Sequence, residues 1–157
     1  MIRRLILSLF LFSTALLAAA QDAPKLRHVF DIHADCAEAI VPGDVPTGKR
    51  VIIPITGGWV KGEGINGTVI PGGADCQTID TVSGRGVLEA RYAMKTDDGA
   101  VIRIYNRGVT TPEGYFITSP IFEAPRNSAY DWLNGRIFVC RPVSFDNGVT
   151  LRIWAVE

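Results

Sequence analysis

Six polar residues in the middle of this chain are of types that could recognise or transform a small molecule. A carboxylate can act as a general base or accept a hydrogen bond, and a guanidinium can hold an anionic or carbonyl group. We therefore assign Asp75 as the candidate catalytic residue. The candidate ligand-binding residues are Arg91, Tyr92, Asn106, Arg107 and Tyr115.

The same residues could instead serve only the sheet that carries them. In that interpretation Glu89 pairs with Arg107 across two strands, Arg91 stacks on Tyr105, and Asp75 caps its own turn. Cross-strand pairs of this kind contribute only ~0.2–1 kcal/mol each, which is a weak reason to place two arginines in one strand pair. Both interpretations stay open at this stage.

The sequence contains none of the common motifs for nucleophilic, redox, phosphate-binding or metal-dependent catalysis. There is no Gly-x-Ser-x-Gly elbow, no Cys-x-x-Cys pair, no phosphate loop and no paired-histidine metal motif. Neither histidine is placed to activate Cys76, which follows Asp75 directly. We expect no cofactor and no metal.

A glycine-rich segment, Val51 to Gln77, precedes and positions the candidate carboxylate. The segment holds seven glycines and two prolines, together with two apolar runs, Val51–Ile55 and Thr68–Ile70. Glycine suits backbone that is left-handed or passes close to other atoms, and proline removes a ladder donor. We predict two strands joined by a glycine-shaped turn, then a second turn at Pro71–Gly73 that fixes the position of Asp75.

A hairpin follows, with alternating runs at Leu88–Lys95 and Ala100–Arg107 on either side of Asp97-Asp98-Gly99. A three-residue turn with glycine in the left-handed position pairs mainly apolar residues on one face of the hairpin and mainly polar residues on the other. A two-residue turn would mix apolar and polar residues on each face. The predicted pairs are Met94–Ile102, Tyr92–Ile104 and Ala90–Asn106 on one face, and Ala93–Arg103, Arg91–Tyr105 and Glu89–Arg107 on the other.

Leu26–Cys36 alternates with period two and is predicted to be a half-buried strand, with Val29 as the exception to the pattern. His28 falls on the apolar face, where we expect a hydrogen-bonded core residue. His33 falls on the polar face, where we expect a solvated one. Because the two histidines should point in opposite directions, they cannot share a metal ion.

The remaining segments complete an all-β pattern with little helix. We predict a loop at Ala37–Gly48, a strand that ends near Ile79, a strand at Tyr115–Phe122, a helical turn within Asn127–Asn134, and a closing hairpin of Arg136–Val143 with Val149–Val156. About eight short strands with turns every eight to twelve residues indicate an antiparallel sandwich or barrel.

The start of the chain has the pattern of a secretory signal. A basic start at Met1–Arg4 is followed by the apolar run Leu5–Leu17 and by Ala18–Ala20. That run is shorter than the ~20 residues a spanning helix needs. We therefore expect cleavage after residue 20, a single domain over residues 21–157, and a periplasmic or secreted protein that is not held at a membrane.

The net charge limits the kinds of partner the protein can bind, and the cysteine content limits the disulfides it can form. Removing Arg3 and Arg4 leaves 16 − 2 = 14 basic residues against 16 acidic ones, a net charge of −2, which does not attract nucleic acid. Cys36, Cys76 and Cys140 allow one disulfide with one thiol left over, or three reduced thiols. Spacing does not choose between these possibilities.

The sequence also resembles a known family over about Leu26–Val156. The resemblance is carried by Ile53-Pro54-Ile55-Thr56-Gly57-Gly58, Gly62 and Gly64, Gly67-Thr68-Val69, Pro71-Gly72-Gly73-Ala74-Asp75, Ala90-Arg91-Tyr92, Thr96-Asp97-Asp98-Gly99, Asn106-Arg107-Gly108, Tyr115-Phe116, Phe122-Glu123-Ala124 and Trp132-Leu133-Asn134. These motifs resemble the domain of unknown function 3237, also called UPF0311. This chain has Cys76 where that family usually has tryptophan.

The resemblance implies a small antiparallel β-barrel, similar to the allene-oxide-cyclase and dirigent barrels, and no established reaction. We predict an exported barrel that binds a small organic molecule in a cavity and that could act on it as a cofactor-free isomerase or cyclase. The alternative is a non-enzymatic interaction or structural module of the periplasm. Fold alone does not choose between them.

Overall fold

A computed structural model of the protein describes residues 22–157, so the predicted signal sequence at residues 1–20 lies outside the described part. The described chain forms nine β-strands and one short 3-10 helix. The strands are β1 (Leu26–Cys36), β2 (Ile40–Val45), β3 (Gly48–Gly62), β4 (Ile65–Ile79), β5 (Gly86–Thr96), β6 (Val101–Thr110), β7 (Phe116–Glu123), β8 (Phe138–Phe145) and β9 (Gly148–Val156). The helix covers Asp131–Gly135.

Eight of these strands close into an antiparallel barrel. The sheet runs in the order β1, β9, β8, β7, β6, β5, β4, β3, and β3 pairs back onto β1. Strand β2 lies outside the ring and pairs with the first part of β3. The predicted all-β barrel with little helix is confirmed. Within residues 22–157, no helix is long and apolar enough to span a membrane.

The predicted loop at Ala37–Gly48 is wrong in part, because it contains β2. Ile40 pairs with Ile52, and Gly43–Val45 pair with residues 48–50 after a shift of register at Pro42. Pro42 and Gly43 interrupt the apolar residues of this segment. The strand was therefore missed, because strand prediction relied on an alternation of apolar and polar residues.

The central hairpin β5–β6 has the predicted register. Ala90 faces Asn106, Tyr92 faces Ile104, and the other four predicted pairs are also present. Gly99 has φ +94°, the left-handed conformation that the three-residue turn requires. The closing hairpin β8–β9 also forms as predicted, and the helical turn at Asp131–Gly135 falls at the end of the predicted segment.

The glycine-rich segment forms the long hairpin β3–β4, but the predicted second turn at Pro71–Gly73 is wrong. The chain there stays within β4 and bulges, because three residues of β4 lie opposite Tyr92 alone between the pairs Ile70–Ala93 and Ala74–Arg91. A bulge and a turn draw on the same residue types, so the composition did not separate them. The bulge bends β4 immediately before Asp75.

A second bulge in β1 overturns the prediction for His28. His28 pairs with Trp154 and Phe30 with Ile153, so Val29 is an inserted residue and both Val29 and Phe30 are buried. His28 is therefore exposed, where its Nε2 lies 2.9 Å from Asp31 Oδ1. One inserted residue reverses the side chains that face inward and outward along a strand. The break in the alternating pattern at Val29 was the sequence signal of this bulge.

His33 lies on the outer surface, as expected, but it is covered by neighbours instead of being freely solvated. Its ring stacks on Trp59 with centroids 5.5 Å apart, and its Nδ1 lies 2.8 Å from Thr150 Oγ1. Both histidines are thus outside the barrel. No group of three or more His, Cys, Asp or Glu residues in the described chain could hold a metal ion.

One end of the barrel interior is filled with apolar side chains. The large, fully buried ones include Phe30, Ile32, Val60, Met94, Ile102, Ile104, Leu133, Phe138 and Ile153. Phe122 packs edge-on against Phe30 and Phe138, with centroids 5.5 and 5.0 Å apart. The 3-10 helix contributes Leu133 to this core. The other end of the barrel is not filled in this way.

Candidate functional site

The second end of the barrel encloses a cavity of about 800 Å³. The walls are mostly apolar and include Ile53, Ile55, Leu88, Phe116 and Leu151. Cavities of roughly 300–1,000 Å³ with few polar groups are typical of small-molecule sites. The barrel is therefore hollow on the side where the sheet carries its inward-facing polar residues.

Small residues keep this end open. Ala90 lies in a cross-strand row between Asp75 on β4 and Asn106 on β6. In the next row, Gly108 lies between Leu88 and Thr118. A Cβ on Gly108 would come within 2.3 Å of the Thr118 side chain, so the glycine lets that side chain lie across the wall.

Asp75 faces the cavity from the strand that the bulge bends. Its Oδ2 accepts a hydrogen bond of 2.8 Å from Gln77 Nε2. Its Oδ1 is buried and has no hydrogen-bond partner. Burial raises the pKa of the Asp75 carboxyl, although the Gln77 side chain and the nearby Glu89 backbone act in the opposite direction. The site thus holds a carboxyl group that keeps its proton to a higher pH than an exposed aspartate does.

Three more polar atoms in the cavity wall are buried without partners: Tyr92 Oη, Asn106 Oδ1 and Thr118 Oγ1. Tyr92 is 7% exposed and Asn106 is 4% exposed. An unsatisfied buried polar group costs ~1–3 kcal/mol, which a ligand that completes the hydrogen bond removes. Burial also raises the pKa of Tyr92 well above its ordinary value, so the phenol stays protonated.

The bulge brings Tyr92 into this arrangement. Gly73 lies so close to Tyr92 that a Cβ on the glycine would approach Tyr92 Cβ to 2.4 Å and the Arg91 carbonyl oxygen to 2.6 Å. Tyr92 belongs to the apolar core and also lines the cavity, so its ring separates the filled end from the hollow one. The Gly-Gly-Ala-Asp run therefore positions two residues of the site, Asp75 directly and Tyr92 by contact.

The structure does not bring the other three predicted ligand-binding residues to the cavity. Arg91 lies on the outer surface over the ring of Tyr105, 4.8 Å from its centroid. Arg107 is also outside, with its Nε 4.0 Å from Glu89 Oε1. Tyr115 is 54% exposed before β7. The two cross-strand contacts expected from the alternative, structural interpretation are therefore present, whereas Asp75 lies within a strand and not at a turn.

The three cysteines are free, and they lie in different environments. Cys36 lines the cavity, where burial and the nearby Asp75 raise its thiol pKa. Cys140 is buried, and burial raises its pKa to about 12. Cys76 neighbours Asp75 on β4 and so points to the opposite face of the sheet. Of the two possibilities left open by the sequence, the structure shows three unpaired thiols.

Cavity residues that the sequence interpretation did not single out are Gln77, Thr118 and Cys36. Gln77 could have been found, because residues two apart on a strand share a face and it follows Asp75 by two. Thr118 could not, because its place depends on how β7 pairs with β6 across a loop. Cys36 was noted only as a thiol, although it ends the inward-facing series of β1.

Comparisons with known proteins agree with this architecture. Residues 24–114 match the model of a family described as protein of unknown function (DUF3237). A UPF0311 protein of Rhodopseudomonas palustris is 41% identical over an alignment of 135 residues, and the match covers 73% of this chain and 85% of that protein. A UPF0311 protein of Clostridium acetobutylicum is 36% identical over 149 residues, with 83% and 93% covered.

Solved structures show the same barrel. A crystal structure of a conserved protein of unknown function from Rhodopseudomonas palustris matches with a TM-score of 0.80 at 36% identity, covering 87% of this chain and all of that one (100%). A more distant relative in sequence is a hydroalkoxylation enzyme of Penicillium herquei, 25% identical over 154 residues, with 97% of each protein covered.

Proposed function

This chain belongs to the DUF3237 family, and we propose on that premise that it binds a small organic molecule in the hollow end of its barrel and isomerises or cyclises it without a cofactor. The observation that carries the proposal is the set of unpartnered, buried polar atoms on the cavity wall, with Asp75 among them. An interior filled by side chains would favour a structural module, whereas a cavity favours a ligand.

The relative from Penicillium herquei supports the choice of reaction class. Its name describes hydroalkoxylation, the addition of the O–H bond of an alcohol across a carbon–carbon double bond. When both groups belong to one molecule, a C–O bond forms, the π bond breaks, and the hydroxyl proton is balanced by a new C–H bond. The product is an isomer of the substrate, so no oxidant, reductant or second substrate is required.

The cavity contains the groups that such a step needs. Protonated Asp75 donates its proton to the alkene carbon, and the resulting carboxylate takes the proton that the substrate hydroxyl loses on forming the C–O bond. Asp75 is thereby restored after each turnover, as general acid and then general base. Tyr92 and Asn106 hold polar groups of the substrate, and the apolar wall excludes water from the cationic intermediate.

The proposal sets the direction of the pH dependence. Asp75 is the acid in the first step, and burial raises its pKa, so the active form persists to a higher pH than for an exposed aspartate. Activity should be highest below that pKa and fall as pH rises through it.

A test can use the small molecules of the producing cells as the substrate pool. A deproteinised extract is incubated with the protein, and liquid chromatography with mass spectrometry is searched for a compound that converts to another of identical mass. We expect conversion by the wild type, a loss of at least about 100-fold in Asp75→Asn, and full activity in the matched exposed variant Asp80→Asn. Isomer formation that persists in Asp75→Asn would contradict the assignment of Asp75.

The proposed compartment is the periplasm or the external medium. Support comes from the basic start, the apolar run and the small residues at Ala18–Ala20. Fractionation of the producing cells, followed by N-terminal analysis, should find a protein that begins at Gln21 outside the cytoplasm. A cytoplasmic protein that retains Met1 would contradict this assignment.

A further inference from the structure

We infer that the ligand is an uncharged molecule with an apolar body and at least two hydroxyl groups, one of which donates a hydrogen bond to Asn106 while the other forms a hydrogen bond with Asp75. The inference rests on the proposed binding function and narrows it to a substrate class. It follows from three properties of the cavity: the charges on its wall, the kind of polar atom that lacks a partner, and the positions of those atoms.

The charges on the wall exclude an anionic ligand. The described lining residues include the acidic Glu38, Asp75 and Asp146 and no lysine, arginine or histidine. A carboxylate or phosphate brought into this cavity would lose its hydration without gaining a cation. The nearest candidates for that role by sequence, Arg91 and Arg107, lie on the outer surface, where they contact Tyr105 and Glu89.

A cationic ligand is also poorly matched to the site. Glu38 and Asp146 are exposed, so the buried acidic group is Asp75. Burial favours the neutral form of that carboxyl, and Gln77 occupies one of its two oxygens. A cation would have to hold Asp75 in its ionised form inside an apolar wall, at the cost of desolvating both charges.

The unpartnered atoms specify hydrogen-bond donors on the ligand. Asn106 Oδ1 is an amide oxygen and accepts only, whereas Asp75 Oδ1 donates when it carries the proton and accepts when it does not, so a ligand hydroxyl group can pair with either form of Asp75. The hydroxyl groups of Tyr92 and Thr118 can donate or accept. A ligand that supplies only acceptors, such as an ether or a ketone, would leave Asn106 unsatisfied.

The positions of Asp75 and Asn106 set the shape of the ligand. Asp75 and Asn106 are two strands apart in one cross-strand row, which puts their backbones about 10 Å apart. The methyl group of Ala90 lies between them, and the ring of Tyr92 bounds the cavity at the core side. A flat ring system that rests on Ala90 and carries a hydroxyl group at each side meets these conditions.

The experiment compares four rigid probes that differ in their functional groups: naphthalene-2,7-diol, 2,7-dimethoxynaphthalene, naphthalene-2,7-dicarboxylate and 2,7-bis(aminomethyl)naphthalene. Binding to the mature protein is measured by titration calorimetry near neutral pH. We expect the diol to bind, and the dimethoxy compound to bind about tenfold or more weakly, because it cannot donate a hydrogen bond. The dianion and the dication should not bind.

Two variants test whether the diol forms its hydrogen bond with Asn106. Asn106→Leu should weaken diol binding about tenfold and leave the dimethoxy compound unaffected, because only the diol loses a hydrogen bond. Asn66→Leu, at an exposed position near the β3–β4 turn, is the matched control and should bind as the wild type does. If Asn106→Leu does not fold, Tyr92→Phe, which removes the neighbouring hydroxyl, should also weaken the diol more than the dimethoxy compound.

The outcomes separate the two proposals. If the dimethoxy compound binds as tightly as the diol, or either ion binds more tightly, the inference is wrong and the binding function stands. The same holds if no probe binds while native mass spectrometry of the purified protein finds an ionic or donor-free ligand. If no probe binds and the purified protein is also empty, both the inference and the proposed function are wrong.

Discussion

Asp75 and Asn106 face one cavity from strands β4 and β6, with only the methyl group of Ala90 between them in the cross-strand row. One is a carboxyl with a raised pKa, and the other is an amide oxygen without a partner. The arrangement is costly for the empty protein, because the barrel leaves one buried oxygen of each group without a hydrogen-bond partner. Selection for stability alone would favour an apolar side chain at either position.

The ionisation of Asp75 should lower stability as pH rises. Its pKa is higher in the folded state than in the unfolded chain, so the folded state binds the proton more tightly. The stabilisation is present below the unfolded pKa of about 4 and is lost as pH rises through the folded pKa. Asp75→Asn cannot ionise, so its stability relative to the wild type should increase as pH rises from about 4 through the raised pKa of the folded state.

Urea denaturation of both proteins at several pH values measures this difference. Asp80→Asn is the control, and its stability relative to the wild type should change with pH in the opposite direction. The reason is that hydrogen bonds from Val82 N and Ser83 Oγ lower the pKa of Asp80. That variant should lose most stability at neutral pH and little in acid. A pH-independent difference between Asp75→Asn and the wild type would show that the carboxyl is not perturbed.

The close approach of Gly73 to Tyr92 gives a prediction about packing. A Cβ at residue 73 would be 2.4 Å from Tyr92 Cβ, so Gly73→Ala must displace β5 or the bulge and should destabilise the protein by about 1–3 kcal/mol. It should also weaken binding of naphthalene-2,7-diol, since Tyr92 moves. Gly135→Ala, with nothing within 4 Å of the new atom, should change stability by less than about 0.5 kcal/mol. Thermal and urea unfolding of the two variants test the difference.

Cys36 offers a report on cavity occupancy that needs no substitution. It lines the cavity, whereas Cys76 lies on the opposite face of β4 and Cys140 is buried. Alkylation by iodoacetamide, followed by peptide mass spectrometry, should be slowed at Cys36 by the diol and unchanged at Cys76. The rate at Cys36 should rise with pH to above the ordinary thiol range, because its pKa is raised. Equal protection of Cys36 and Cys76 would place the ligand elsewhere.

The sequence predicted most where a local signal determined the geometry. The register of β5–β6 followed from one left-handed glycine, Gly99, and from the need to sort two faces. The sequence failed where one inserted residue changed the faces, as at Val29, and where a bulge used the same residues as a turn, as at Pro71–Gly73.

The site was predicted in part, for a related reason. Asp75, Tyr92 and Asn106 share an inward face that alternation reveals, so they could be grouped before the structure was known. Arg91 is adjacent to Tyr92 and necessarily points the other way, out of the barrel. A cavity was expected from the family resemblance, but its position in the barrel could not be predicted, because it depends on Ala90 and Gly108 falling into neighbouring rows of different strands.

The central claim, that the hollow end of the barrel holds a small molecule, is tested most directly by native mass spectrometry of the wild type and two variants after incubation with the cell extract. Ala90→Phe fills the space between Asp75 and Asn106, and Arg91→Ala alters the outer surface of the same strand. We predict a bound small-molecule mass in the wild type and in Arg91→Ala that is lost in folded Ala90→Phe. A ligand retained by folded Ala90→Phe, or three folded proteins that are all empty, would contradict the account.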